Sequence, residues 1–111
     1  MSSMDESKYR DLAEVAFRRI EDALKDVDPD VVECERTQGD VLTLTFSGRR
    51  RCVINTQRPT QQIWVAANAR AWHFSFDEAS GAWSEAKSGS SELFATLQAI
   101  VKESASLELS I

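Results

Sequence analysis

Acidic side chains crowd one short stretch of this chain, and their carboxylates are the groups best suited to carry chemistry. The segment RRIEDALKDVDPDVVECE, residues 18–35, holds seven of them. They are Glu21, Asp22, Asp26, Asp28, Asp30, Glu33 and Glu35. Oxygen ligands of this kind suit hard cations, and iron is one of these. Because the set is open and contains no histidine, we expect its cation binding to be weak and poorly selective.

The same acids have a simpler interpretation as a solvated helix face. Asp22 and Asp26 stand four residues apart, so they are neighbours on a helix. Three acid–base pairs also have the spacing of helical ion pairs. They are Glu14–Arg18, Glu21–Lys25 and Asp22–Lys25. From spacing alone, the solvated face is the favoured interpretation.

A tryptophan in the segment QQIWVAA is the second candidate for a functional side chain. Successive residues of a strand point to opposite faces, so Trp64 faces solvent if Ile63 and Val65 face the core. Its predicted polar surroundings are Asn55, Gln57 and Gln62. Tryptophan dominates the binding energy of many interfaces, so these four residues form a predicted partner-binding surface. The alternatives are the opposite parity or an indole that lies flat on the sheet.

The remaining reactive side chains indicate no catalytic site. His73 is the only histidine, and a surface position is favoured for it over a ligand role. Cys34 and Cys52 lie in strand-like stretches, where buried, reduced thiols are expected. Arg49, Arg50 and Arg51 resemble a charged hairpin end more than a nucleic-acid patch. The chain also lacks a glycine-rich phosphate loop and a G-x-S-x-G nucleophile motif, so we predict that it is not an enzyme.

Length and charge limit the remaining possibilities. A chain of 111 residues with a 42% hydrophobic share predicts one domain, residues 1–111. Eleven of the eighteen acidic residues lie in residues 1–35, within a net charge of −5. Such an acidic pole repels nucleic acid and attracts cations or a basic protein patch. No apolar run approaches the roughly 20 residues that span a bilayer, so we expect a cytoplasmic protein without membrane contact.

Hydrophobic periodicity predicts the elements that must position these residues. A stripe from Tyr9 to Val27 predicts a helix over 5–27, ended by Pro29. Alternating segments then predict strands over 31–35, 41–46, 49–55, 61–67, 71–76 and 82–86, with a loop over 77–81. A second helix follows, with Ser90 or Ser91 as its expected N-cap, and the tail 104–111 either covers the core or frays. The predicted fold is α+β, a two-layer sandwich with both helices on one face of a five- to six-stranded antiparallel sheet.

Three segments resemble the frataxin family, in particular its bacterial CyaY-type branch. They are DVLTLTF, VINTQRPTQQIWVAANARAWHF and SGSSELFATL, and the resemblance runs over about residues 7–102. The pattern N-x-Q-x-P-x-x-Q-I/V-W is its specific part. The resemblance implies weak, reversible iron binding and a role in iron–sulfur cluster assembly, with a cysteine desulfurase and a scaffold protein as partners. It also implies a monomer in the iron-free form.

The resemblance further implies which acids contact the metal. They are Glu21, Asp22, Asp26, Asp28 and Glu33, with Asp30 in the loop between and Glu14 continuing toward the N-terminus. These seven residues are called the acidic ridge below. Lys25 stands where such relatives usually carry another acid, and it predicts weaker binding. Arg10 replaces a frequent histidine, and Arg70-Ala71 replaces a Gly-Gly pair and predicts a differently shaped turn.

Three functions are consistent with the sequence. The first is an iron donor to the desulfurase and scaffold complex, or an iron-dependent regulator of it. The second is a purely protein-binding regulator, in which the ridge is a docking surface and iron is incidental. The third, an enzyme that oxidises ferrous iron, is disfavoured because an open carboxylate surface provides no buried di-iron cage.

Overall fold

The computed structural model describes residues 4–85 and 91–111 and shows two helices and six strands. Helix α1 spans Glu6–Leu24 and helix α2 spans Leu93–Ala105. The strands between them are β1 Val32–Thr37, β2 Val41–Phe46, β3 Arg51–Gln57, β4 Gln62–Ala67, β5 Arg70–Asp77 and β6 Ala82–Glu85. Each strand pairs antiparallel with the next, which gives the sheet order β1-β2-β3-β4-β5-β6. The predicted α+β sandwich is therefore confirmed, with six strands.

Alternation along the strands decides which face of the sheet is buried. In β2 the side chains of Leu42, Leu44 and Phe46 are buried, while the intervening residues are half-buried on the opposite face. Helix α1 covers the buried face with Tyr9, Ala13, Ala16, Phe17, Ile20 and Leu24. Helix α2 adds Leu93, Leu97, Ile100 and Val101 to the same core. Both helices therefore shield one face, and the other face is left for solvent or a partner.

Helix α1 is shorter than its hydrophobic stripe predicts. The helix begins after Asp5, whose carboxylate accepts the backbone N–H of Ser7 at 3.0 Å and caps the first turn. At the other end, the N–H of Lys25 bonds to the carbonyl of Asp22 at 3.4 Å, and the N–H of Val27 bonds to that of Leu24. These contacts to the third residue back tighten the last turn and end the helix at Leu24. The prediction that it continues to residue 27 was wrong.

The N-cap of α2 also differs from the prediction. Ser91 was an expected cap, but the carboxylate of Glu92 performs this role by accepting the N–H of Ala95 at 3.0 Å. The carbonyl of Ser91 instead accepts the N–H of Glu85 and extends the sheet pairing past β6. Ser90, the other predicted cap, and Ala86, the predicted last residue of the sixth strand, lie outside the described residues.

Strand boundaries differ from the prediction by one or two residues. The largest changes are at β1, which continues from residue 35 to Thr37, and at β3, which spans Arg51–Gln57 instead of 49–55. Strand β5 begins at Arg70, so the turn before it is made by Asn68 and Ala69, both with positive φ. This backbone matches the two-residue hairpin turn that usually carries Asn-Gly. Arg70 and Ala71 therefore lie within the strand rather than in the turn.

The C-terminal tail covers the core. Leu109 is buried, and its carbonyl accepts a hydrogen bond from the Gln98 amide at 3.1 Å. Among the helices in the described part of the chain, none is long and apolar enough to cross a membrane.

Candidate functional site

The acidic ridge follows the outward side of α1, the α1–β1 loop and the edge strand β1. Five of its members are exposed. They are Asp22, Asp26, Asp28, Asp30 and Glu33. Within residues 4–85 and 91–111 none of the five forms an ion pair. No base in these ranges pairs with them, so their charges are open to an external cation.

The other two ridge residues are already paired. The Arg36 guanidinium donates to Glu14 at 2.8 Å through one nitrogen and to Glu21 at 2.7 Å through another. Its Nε also donates to Glu21 at 3.2 Å, so that the contact with Glu21 is bidentate. The contact with Arg36, more than the contact with Arg18, lowers the pKa of Glu14 below its ordinary value of 4.5. The same two carboxylates raise the pKa of Arg36.

Arg36 was missed from the sequence, although its position carried a signal. It shares strand parity with Val32 and Cys34, which point toward the helices. A charged residue at an inward position of an edge strand predicts a buried partner of opposite charge. The charge pattern of α1 alone did not indicate which of its carboxylates would pair with Arg36.

Only one of the three predicted helical ion pairs forms. Arg18 donates to Glu14 at 2.9 Å, as the spacing of four residues predicts. Lys25 has no carboxylate partner within 4.0 Å in the described part of the chain, so the predicted pairs with Glu21 and Asp22 were wrong. Glu21 faces Arg36 instead, and Lys25 stands beyond the last helical residue. Lys25 is thus an unpaired cation within the ridge.

Local hydrogen bonds fix the backbone of the ridge loop. The side chain of Asp28 accepts the N–H of Asp30 at 2.9 Å, and its carbonyl accepts the N–H groups of Val31 and Val32. Pro29, between the two aspartates, cannot extend the helix. The loop therefore presents Asp28 and Asp30 from a defined turn rather than from a free segment.

A cleft of about 410 Å³ lies between the end of α1 and β1. Glu21, Lys25, Glu33 and Cys34 line it. Burial, and secondarily the charge of Glu21, raises the pKa of the Cys34 thiol, so the thiol is protonated at neutral pH and a poor metal ligand. Burial also raises the pKa of Cys52, to about 12.

The ridge does not form a closed chelate. Among the residues that the structure describes, no three histidine, cysteine, aspartate or glutamate side chains are arranged to hold a metal ion. A cation bound here would be held by one or two carboxylates and by water, an open geometry that favours exchange over tight binding. The seven predicted metal ligands thus divide into two paired and five unpaired carboxylates, and their metal role stays a prediction.

The predicted partner-binding residues lie together on the outer face of the sheet. Trp64 stands opposite Asn55 on β3 and opposite His73 on β5, and Gln62 stands opposite Gln57. The indole stacks on the His73 ring with centroids 4.1 Å apart, and its Nε1 donates to the Gln62 side chain at 2.8 Å. Asn55, Gln57, Gln62, Trp64 and His73 are called the aromatic platform below. The outward parity of Trp64 is confirmed, but the indole is half-buried and held rather than freely exposed.

A buried hydroxyl supports this platform from the core side. The phenol of Tyr9 donates to the carbonyl of Gln62 at 2.7 Å and accepts the N–H of Gln57 at 3.1 Å. Its ring packs edge-on against Trp83. Helix α1 is thereby fastened to the end of the β3–β4 hairpin, next to the strand positions that present the platform.

Arginines gather at the opposite end of the sheet. Arg50, Arg51 and Arg70 line one open concavity, and Arg70 also stacks over the Trp72 ring at 4.8 Å. This fits the predicted charged hairpin end, to which Arg70 at the start of β5 contributes a further base.

Comparison with known proteins connects this arrangement to one family. The family model described as a frataxin-like domain matches residues 2–107. Proteins named "Iron-sulfur cluster assembly protein CyaY" are among the similar sequences. The one from Paraburkholderia phytofirmans is 45% identical over 94 residues, which covers 85% of each chain. The one from Delftia acidovorans is 36% identical over 109 residues, which covers 96% of each chain.

Solved structures give the same correspondence. Frataxin from Psychromonas ingrahamii superposes with a TM-score of 0.86 at 26% identity, over 96% of this chain and 97% of that one. A trimeric frataxin from Saccharomyces cerevisiae, complexed with ferrous iron, gives a TM-score of 0.62 at 24% identity, over 96% of this chain and 91% of that one. The yeast likeness shows the fold alone.

Proposed function

The chain belongs to the frataxin family, and on that premise we propose that it is an iron-binding accessory protein of iron–sulfur cluster assembly. In this proposal it delivers iron to a complex of cysteine desulfurase and scaffold protein, or regulates that complex according to the iron supply. The chain itself carries out no catalytic step. Iron is its cargo, bound weakly and reversibly at the acidic ridge.

The observation that carries the proposal is the set of five unpaired ridge carboxylates. Like charges on one surface destabilise a fold through their mutual repulsion. A bound cation would remove part of this repulsion and would stabilise the folded state by mass action. Because carboxylate and water ligands exchange readily, such a site suits an ion that must be passed on.

The proposal also assigns a partner to each of two surfaces. The uncompensated charge of the ridge favours docking on a basic patch of the desulfurase. The aromatic platform, with a half-buried indole among amide side chains, has the composition of an interface anchor for the assembly complex. We propose that the iron-free chain is a monomer and acts in the cytoplasm, where its two free cysteines would stay reduced.

Iron binding can be tested by titrating the apo-protein with Fe²⁺ under anaerobic conditions and following its amide NMR spectrum. We expect shifts or broadening confined to the segment from Asp22 to Glu33. We also expect millimolar Fe²⁺ or Ca²⁺ to raise the melting temperature, and the double reversal Asp22→Lys with Asp26→Lys to blunt that rise.

A matched control keeps the charge change constant. Asp11→Lys with Asp40→Lys changes the net charge equally, at two exposed positions outside the ridge that form no ion pair in the described part of the chain. If both double variants keep the full response to cations, the ridge is not the site. If both lose it equally, the response reflects net charge rather than a local site.

The second candidate function is a purely protein-binding regulator of the desulfurase. Two observations favour it: Lys25 has no ion-pair partner in the described part of the chain, and Arg36 already pairs with two of the ridge acids. The two candidates are separated by measuring affinity for the desulfurase with Fe²⁺ and with a chelator. Equal affinity, and an equal effect on desulfurase activity, under both conditions would favour the second candidate.

A further inference from the structure

Arg36 occupies a position unlike that of any other base on the ridge. Its side chain is 20% exposed, whereas that of Arg18 is 74% exposed. The guanidinium lies 5.2 Å from the centroid of the Phe17 ring and also donates to the carbonyl of Gly39 at 3.3 Å. Together with the contacts to Glu14 and Glu21, these interactions hold it between α1 and the edge strand β1.

We propose that Arg36 is a built-in counter-ion that closes Glu14 and Glu21 to cations and confines cation binding to the other five ridge carboxylates. The inference rests on the proposed function, because it assigns the metal role to part of the ridge only. It divides the ridge into two carboxylates that arginines of this chain already pair and five that an external cation would neutralise.

Glu14 and Glu21 should bind cations weakly because an incoming cation competes with the charge of Arg36. A cation that approaches Glu21 would have to displace a bidentate guanidinium, whose two parallel hydrogen bonds are stronger than single ones. It would also leave the half-buried Arg36 with one carboxylate partner, Glu14, in place of two, which is unfavourable. A cation bound beside the undisturbed pair would meet the repulsion of the guanidinium instead. Both routes weaken binding at Glu14 and Glu21 relative to Asp22 and Asp26.

The two ion pairs of Arg36 also connect helix α1 to the edge strand. Arg36 belongs to the edge strand, while Glu14 and Glu21 are two helical turns apart on α1. The guanidinium therefore fastens one helix to the strand at two points. Any cation or partner that captured these carboxylates would loosen this attachment, whereas a cation at Asp22 and Asp26 would leave it intact.

The test replaces Arg36 with methionine, which keeps much of the aliphatic stem and removes the charge. The control is Arg18→Met, which makes the same change in net charge and also removes a partner of Glu14. The first measurement, without any metal, is the pKa of Glu14 by carbon-detected NMR. We expect a larger rise in Arg36→Met than in Arg18→Met, because Arg36 is the main cause of its low pKa.

The second measurement is a Ca²⁺ titration, repeated anaerobically with Fe²⁺, in the parent protein and both variants. In the parent we expect amide shifts near Asp22 to Glu33 and not near Glu14. In Arg36→Met we expect new shifts at Glu14 and Glu21, with affinity there raised about tenfold. That factor is the Coulomb repulsion between a divalent cation and a guanidinium roughly 6 Å away in water. Arg18→Met should change the affinity much less.

The outcomes separate this inference from the proposed function. Parent shifts at Glu14 and Glu21 as large as those at Asp22 and Asp26 would overturn the inference and leave the ridge as an iron site. An equal gain in Arg36→Met and Arg18→Met would also overturn it, since net charge would then explain the effect. No cation response in any of the three proteins would overturn the proposed iron function together with the inference. If Arg36→Met does not fold, Arg36→Lys can replace it, since it keeps the charge but not the bidentate contact. We then expect cation-induced shifts at Glu14 and Glu21 that are smaller than those expected for Arg36→Met.

Discussion

Removing one buried hydroxyl should weaken both the fold and the support of the aromatic platform. The Tyr9 phenol is 1% exposed and donates to the Gln62 carbonyl while accepting the Gln57 N–H. Burial raises the pKa of Tyr9 above its ordinary value of 10.0, so the hydroxyl keeps its proton at neutral pH. The substitution Tyr9→Phe keeps the ring and its contact with Trp83, and it removes the hydroxyl together with these two hydrogen bonds.

The expected loss follows from what the two backbone groups can do without the hydroxyl. Each hydrogen bond contributes roughly 0.5–1.5 kcal/mol, and a buried group left unpaired costs about 1–3 kcal/mol. We therefore expect Tyr9→Phe to lower the free energy of unfolding by about 2 kcal/mol, a large share of the roughly 5–15 kcal/mol typical of domains. This corresponds to a fall of about 8 °C in melting temperature and about 1 M in the urea midpoint.

Urea unfolding followed by circular dichroism gives the total loss, and amide hydrogen exchange at Gln57 locates it. Thr43→Val is a suitable control, since it deletes a hydroxyl on the outer face that forms no hydrogen bond within the described part of the chain. We expect it to change stability by less than about 0.5 kcal/mol. A Tyr9→Phe protein that is as stable as the parent and still protects the Gln57 amide would refute the argument.

Three further predictions concern the β4–β5 turn, the tail and the ridge. Ala69→Gly should stabilise the protein by about 0.5–1 kcal/mol in urea unfolding, since glycine avoids the left-handed strain of alanine and completes the Asn-Gly turn with Asn68. A loss of stability would contradict that assignment of the turn. Leu109→Ala should destabilise by about 2 kcal/mol because this side chain is buried in the core, and an unchanged melting temperature would contradict that packing of the tail. Glu14 has a lowered pKa in the folded state, so its pair with Arg36 stabilises the fold above pH 4.5 and loses this effect as the pH falls through the folded value. Because Glu14 is 42% exposed, the pH-dependent difference between the parent and Glu14→Gln should stay below about 1 kcal/mol in unfolding measured between pH 3 and 7.

Local patterns in the sequence were sufficient for the architecture. The period of the apolar stripe predicted α1, and alternation in VLTLTF and QQIWVAA predicted strands with the observed inward faces. The outward position of Trp64 followed from the same alternation. These patterns succeed because side-chain direction is set by the backbone of one element, which repeats every 3.6 or 2 residues. The specific motif around Trp64 was sufficient to indicate the family.

Contacts between elements could not be derived in this way. Spacing predicted that Lys25 would pair with acids on its own helix, but Glu21 is paired with Arg36, fifteen residues away on β1. The support that Tyr9 gives to Gln57 and Gln62 spans about fifty residues. Both depend on how α1 crosses the sheet, which is decided by packing of the whole core and not by any local repeat.

The sequence by itself therefore determined that an acidic ridge exists, and the tertiary structure decided which of its charges are free. Composition and order along the chain place seven carboxylates near one another, because helix, loop and strand follow in succession. Only the approach of β1 to α1 brings the guanidinium of Arg36 onto two of them and leaves five exposed. Charge is a property of the residue, but its availability depends on which neighbour the fold brings within hydrogen-bonding distance.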